Sequence, residues 1–280
     1  LGYVQIKIYS SLDPKLVPAI AKAAHQRGLR VSGHVPNGMT AAEFVAAGAD
    51  EIQHMNFVFL NFLKDKVKDT RTVERYFAPA EYGAGIDVMS PAVGDFIKLL
   101  RSRGTTVDVT LAFLEDVFTA RPGIAGPGLS PVLDRLPTQV RRSAYAGGLP
   151  ALGDRDKRYK NSYQTMLTMA ARLYYAGVPL VAGTDGIPGF TLHRELELWV
   201  RADIPAKNAL QVATYNAAKL LHRDKDLGSI EPGKLADFVL VDGDPTTTIS
   251  DIRRCRLVAK NGVLYRSDDV YAAVGVKPAH

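Results

Sequence analysis

Four residues are of types, and at spacings, that could share one piece of chemistry: Lys7, His34, His54 and Asp185. Lys7 lies inside the apolar run "YVQIKIY" (3–9), His34 near the end of "LRVSGHV" (29–35), His54 near the end of "DEIQHM" (50–55), and Asp185 just after "VPLVAGT" (178–184). Lysine is rarely fully buried without a partner or a task. Imidazole nitrogens and a carboxylate oxygen are ligands for a divalent metal such as zinc. An ammonium has no lone pair and repels a cation, but a deprotonated lysine amine that has added carbon dioxide is a carbamate, an anion whose two oxygens can bridge two metals. Each residue also has a plainer reading. A strand-end histidine is commonly a satisfied core or loop residue, Lys7 could carry its charge to the rim of a sheet, and Asp185 in "AGTDG" could serve a turn or cap a helix. The joint reading is favoured because all four fall at strand ends, in the order a metal-binding barrel would require.

Elements that bring them together are legible in the hydrophobic pattern. Besides the four runs above, "TTVDVTLAF" (105–113) reads as a strand. Helices separate them. Asp13 is expected to cap a helix that has Pro14 at its first position and runs to Gly28, and Thr40 to cap one ending at Gly48. Strand and helix in alternation predict a parallel sheet. Lys7 precedes His34 by 27 residues and His34 precedes His54 by 20, about one strand–helix unit each. Neighbouring strands lie about 4.7–4.9 Å apart, so side chains at successive strand ends can converge, which in a β/α barrel happens on the active-site face. Two long segments, 57–98 and 120–160, interrupt the rhythm and are expected to be loop insertions over one end of the sheet. Helices are predicted over about 192–202 and 205–221. The tail predicts strands in "KLADFVLVDGDP" and "RLVAKNGVLYR", with Asn261-Gly262 as a hairpin turn.

The totals fit this plan. The chain has 280 residues, 46% of them hydrophobic, enough for one large α/β domain with a small appendage. Its net charge of +6 is scattered over unlike segments, so a nucleic-acid footprint is not expected. One cysteine, Cys255, excludes an intrachain disulfide and leaves the redox compartment open. No run of about 18 apolar residues predicts a membrane span.

The stretches "IKIY", "GHVPNGMTAAEFVAAGADEIQH", "PLVAGTDG", "HRELELWV", "ALQVATYNAAKLL" and above all "LGSIEPGKLADFVLVDGDP" resemble the C-terminal two-thirds of metal-dependent amidohydrolases, in the branch of imidazolonepropionase and the prolidase-like carboxypeptidases. The resemblance implies an α/β fold: a (β/α)8 TIM-type barrel, here its strand 4 to 8 portion over residues 1–225, with part of a small β-sandwich over 226–280. It also implies that Lys7 matches the carbamylated lysine of the fourth strand, that His34 and His54 match the histidines of the fifth and sixth, and that Asp185 matches the aspartate ending the eighth, which shuttles a proton. A complete site would hold two divalent metals, zinc the leading candidate, bridged by carbamylated Lys7. The family's His-x-His pair on the first strand has no counterpart here. An N-terminal segment of the same enzyme is therefore expected as a missing partner.

The expected reaction is cleavage of the amide C–N bond of a small or dipeptide-like substrate by metal-activated water. Hydrolysis of a lactone, carbamate or cyclic amide on the same site is the alternative within enzymes, and a non-catalytic scaffold or fragment lacking the metal pair is the alternative outside them. His193, eight residues after Asp185, and Arg71 and Arg158, in the two insertions, are candidate substrate contacts; an arginine could grip a carboxylate with two parallel bonds. His25 and His222 read as ordinary helix residues. Homo-oligomerisation and the compartment are left open.

Overall fold

The computed structural model describes residues 2–187 and 189–278. Five short parallel strands form its centre: β1 (Gln5–Ile8), β2 (Arg30–Gly33), β3 (Glu51–Gln53), β4 (Thr106–Asp108) and β5 (Leu180–Val181). β1 pairs with β2, and β3, β4 and β5 pair in that order. The two ribbons meet at Asp50, whose amide donates to the Val31 carbonyl at 2.8 Å while its carboxylate accepts from the Val31 amide at 2.7 Å. One side chain thus stands in for a rung of the ladder. The result is an open arc in which β1 and β5 each have one strand neighbour among the described residues.

Between and after the strands run α1 (Val17–His25), α2 (Ala41–Ala46), α3 (Met55–Leu60), α4 (Glu74–Tyr82), α5 (Pro91–Arg103), α6 (Leu111–Thr119), α7 (Thr138–Ala144), α8 (Arg155–Tyr175), α9 (Thr191–Arg201), α10 (Ala206–Gln211) and α11 (Ala217–Leu220). The predicted caps are present. The Asp13 side chain accepts from Lys15 N ahead of a single 3-10 turn at Pro14–Leu16 that leads into α1, and Thr40 and Glu43 form a reciprocal capping box on α2.

Alternation along each strand sorts the arc into two faces. Val31, Ile52 and Val107 are fully buried in a core that includes Val17 and Ala21 of α1, Phe44 of α2 and Leu100 of α5, each such burial being worth about 1.5–3 kcal/mol. The residues between them are polar. Ser32 is in register with Lys7, Thr106 with Glu51, and Asp108 with Gln53. Arg30 donates to Glu51 and Thr106, both at 3.3 Å. Sequence alternation therefore separates a structural face from a chemical one.

Three expectations need correction. Residues 57–98 hold most of α3, all of α4 and most of α5 rather than a loop insertion, and Phe57, Val58 and Phe59 are buried; the flanking charges hid this apolar cluster. Within 120–160, α7 and the start of α8 are helical. The strand predicted over 105–113 ends at Asp108, because Thr110 adopts a left-handed conformation (φ 42°) that turns the chain into α6. The helix predicted over 205–221 is present but carries a π-helical turn at Val212–Asn216.

The tail forms an antiparallel sheet of β6 (Phe238–Val241), β7 (Cys255–Lys260) and β8 (Val263–Arg266), followed by α12 (Ser267–Ala273). Asn261 (φ 51°) and Gly262 (φ 77°) make the tight turn between β7 and β8. No described helix is long and apolar enough to cross a membrane.

Candidate active site at the strand ends

His34 and His54 follow β2 and β3 directly and are both buried. Their Nε2 atoms lie 2.9 Å apart. Tyr9 stacks on the His34 ring at 4.2 Å between centroids, and Phe57 and Phe113 flank His54 at 6.5 Å. Nδ1 of His54 shares a 2.9 Å hydrogen bond with Thr110 Oγ1, which orients the ring and leaves Nε2 for the site. Asp185 approaches from the loop after β5, its Oδ2 3.9 Å from His54 Nε2. About half of its side chain is exposed.

Backbone strain concentrates here. Six described non-glycine residues have positive φ, and three of them, His54 (71°), Thr110 (42°) and Asp185 (44°), belong to this cluster. Such conformations cost on the order of 1–3 kcal/mol each and collect where function fixes them. A second carboxylate, from further along the chain, supports Thr110. Glu195 of α9 accepts from the amides of Leu111 at 3.0 Å and Ala112 at 2.7 Å, the first two residues of α6, and from Trp199 Nε1 at 2.9 Å. The free amides at a helix start want such an acceptor, and the capped helix begins one residue after Thr110.

Burial pushes the His34 imidazole down to about 3, helped by the nearby charges of His54, Lys7 and Arg75, with Asp185 pulling the other way. Burial likewise pushes His54 down to about 4, helped by Lys7 and Arg75. Both rings are thus neutral near pH 7 and have lone pairs to offer. Lys7 is exposed on β1, opposite Ser32, and its charge reaches both imidazoles.

Does this set suit a metal? The donors do: Nδ1 of His34 is buried without a hydrogen bond, and the two opposed Nε2 atoms can share only one proton unless a cation sits between them. A carboxylate completes an N/O donor set typical of zinc. Spacing closes only part of a shell, and no group of three His, Cys, Asp or Glu among the described residues is set to hold an ion as it stands. Asp185 is the member that stands off.

Of the other sequence-predicted residues, His193 lies on α9, with Arg253 and Glu197 as charged neighbours, and burial pushes its imidazole down to about 4. Arg71 is not brought to the histidines; its guanidinium is clamped on Asp69 by bonds of 2.9 and 2.8 Å. Arg158 is held by Glu81 and Asp154 at 2.8 and 2.6 Å. Sequence reasoning missed Tyr9, Thr110 and Arg75. Only Tyr9 had a signal, its place two residues after Lys7 on the same strand face.

The profile of the Amidohydrolase family matches residues 11–264. The chain belongs to the amidohydrolase family. An imidazolonepropionase of Caldanaerobacter subterraneus subsp. tengcongensis is 38% identical over 78 residues, 26% of this chain and 19% of that protein. Among solved structures, a Xaa-Pro dipeptidase with methionine bound in its active site has a TM-score of 0.58 at 22% identity, over 95% of this chain and 55% of that one. A bottromycin amidohydrolase has a TM-score of 0.64 at 19% identity, over 99% and 60%. At these identities the structural likeness speaks for the fold. The chain spans about a fifth of that curated relative and little more than half of those structures.

Proposed function

We propose that the chain provides the strand-end site of a metal-dependent hydrolase that cleaves the amide C–N bond of a small or dipeptide-like substrate. The observation that carries this is the pair of neutral, buried imidazoles with Nε2 atoms 2.9 Å apart and the Asp185 carboxylate 3.9 Å from one of them. His34 and His54 would hold one divalent cation, zinc by its donor set, and Asp185 a second, with carbamylated Lys7 as a ligand to both. When bound, the metal supplies Lewis acidity that brings the pKa of a water toward neutrality and polarises a carbonyl.

The chain's own residues would do the rest. Asp185, half-exposed at the mouth, accepts the proton of the attacking water and returns it to the leaving nitrogen, a base and then an acid. The rings of Tyr9, Phe57 and Phe113 wall the histidines from bulk water. Burial, helped by the charge of Arg75, keeps both imidazoles unprotonated. Carbamylation would turn Lys7 from a repelling charge into a ligand.

This reading includes a closed (β/α)8 barrel and a completed β-sandwich. The single-neighbour edges of β1 and β5 support further strands there, as do the apolar side chains Val239 and Leu240 of β6 and Val263 and Leu264 of β8, each half or more exposed. A further segment carrying the remaining metal ligands would fit those edges.

Metal analysis of the purified protein and of His34→Ala, together with hydrolysis of a panel of N-acyl amino acids and dipeptides, tests the proposal. Zinc-like occupancy that is lost in the variant, with amide cleavage, is the expected result. Equal metal content in both proteins would remove the site from this position. For the bridge, Lys7→Ala should lose metal and recover activity with added short carboxylic acids; retention of both metals and full turnover refutes it.

A further inference from the structure

Next to Asp185 the structure encloses a second feature. A cavity of about 210 Å³ lies between α6, the 120–148 segment and the loop after β5. It is lined by Phe113 and Asp116 of α6, Gly126 and Gly147 of the segment, and Gly186 and Ile187 of the loop. Two of these residues tie it to the candidate site. The Phe113 ring is 6.5 Å from that of His54, and Gly186 directly follows Asp185. Its volume is below the roughly 300–1,000 Å³ of clefts that enclose whole drug-sized ligands, so it would take a substituent rather than a complete molecule.

The cavity carries one unspent charge. Arg194, which also borders it, donates to Glu115 through Nε and Nη2, both at 2.7 Å, and to Glu197 through Nη1 at 3.1 Å. Glu115 also accepts from Arg201 at 3.3 Å, and Glu197 from Arg253. Asp116 is left over. Its Oδ1 is shut off from solvent and makes no hydrogen bond among the described residues. The backbone accommodates this carboxylate through a bare glycine, since a Cβ at Gly126 would lie 2.1 Å from Asp116 Oδ1. With Oδ1 turned to Gly126, the Asp116 carboxylate still lines the cavity without an ion-pair partner among the described residues, and a cationic donor pairs most strongly with a carboxylate.

We infer that this cavity is a subsite for a cationic substituent of the substrate, an alkylammonium or guanidinium group, with Asp116 as its specificity-determining residue. The inference deepens the proposed amide hydrolysis and, as a statement about substrate, rests on it. Burial and the neighbouring Glu115 push the Asp116 carboxyl up to about 6, with Arg194 pulling it down. The named lining residues from the 120–148 segment and the β5 loop carry no ionisable group. At pH 8 the carboxylate is charged, and cation binding should fall as the pH drops through 6.

The test has one arm without turnover. The probe n-butylammonium, titrated calorimetrically at pH 8 into the metal-loaded protein, should bind, and bind about tenfold or more weakly to Asp116→Asn, the scale of one charge-assisted hydrogen bond. Gly126→Ala, which pushes a methyl into the carboxylate, should weaken it likewise and guards against a misfolded Asn variant. In turnover, an N-acyl lysine amide should exceed its norleucine counterpart in kcat/KM by a similar factor, and Asp116→Asn should collapse that preference. Amide cleavage without the preference, or n-butylammonium binding that ignores both substitutions, overturns the inference and leaves the hydrolase reading standing. Asp116-dependent binding with no amide cleaved upholds the cation subsite and sinks the hydrolase reading alone.

Discussion

The two ends of the candidate site are built differently. His34 and His54 emerge from strands whose other face is packed with fully buried Val31 and Ile52, and their rings are hemmed by Tyr9, Phe57 and Phe113. Asp185 hangs on a half-exposed loop after a strand only two residues long. On the proposed reading the core fixes the two histidine ligands, while Asp185, ligand and proton carrier at once, keeps the freedom to pass a proton between water and leaving group. This difference predicts that substitutions at the histidine end should register in metal affinity, and those at the aspartate end in turnover.

The largest effect belongs to the histidine end. His54→Ala removes a neutral donor and its bond to Thr110 and should lower zinc affinity by more than about a hundredfold, since even outer-shell partners are worth about 10–100-fold. Equilibrium dialysis measures it, and an unchanged affinity would dissolve the comparison. Asp185→Asn should keep most of the metal and lose about 10²–10⁴ in kcat, the usual scale of a positioned acid–base group. If metal content falls as far as turnover, Asp185 is a ligand first and the two ends are alike.

Glu195 joins the ends, because it sits on the helix after β5 yet caps α6 beside Thr110. Burial pushes its carboxyl up to about 7, above the usual 4.5, against the pull of its hydrogen bonds. A folded-state pKa raised above the unfolded one means that the native state holds the proton more tightly. This contribution to stability is complete below about pH 4.5 and is lost as the pH rises through 7, on the order of 3 kcal/mol in all. Urea titrations at pH 5 and 7.5 should show that decline in the wild type and a flatter response in Glu195→Gln. Parallel responses would assign the decline to other groups.

Much of the arc was legible in the sequence, because alternation and capping are local. "LRVSGHV" shows a polar residue at every second place, and Thr40 and Glu43 announce their box by spacing alone. Positions 110 and 195 were not legible. Nothing near Thr110 predicts a left-handed residue inside an apolar run, and the carboxylate that caps the helix after it comes from 84 residues away. For the same reason Arg75, whose charge reaches both histidines, was passed over for Arg71, four residues before it in a similar setting. Which of two neighbouring arginines turns inward is decided by packing, not by pattern.

Thr110→Val sharpens the comparison more finely. The shape is kept and the hydrogen bond to His54 Nδ1 is lost, so zinc affinity should drop about 10–100-fold with kcat little changed at saturating metal. A loss confined to kcat would move Thr110 to the aspartate's side. The smallest effect is predicted for Arg71→Ala. Its partner Asp69 is two residues away and the guanidinium is more than half exposed, so breaking the pair should change stability by no more than about 1 kcal/mol, with KM for an acidic substrate unmoved. Arg75→Ala, by contrast, removes a charge that acts on both imidazoles and should raise KM for such a substrate. A KM that responds to Arg71 and ignores Arg75 would mean that the substrate enters over the 65–74 segment, away from the buried histidine wall.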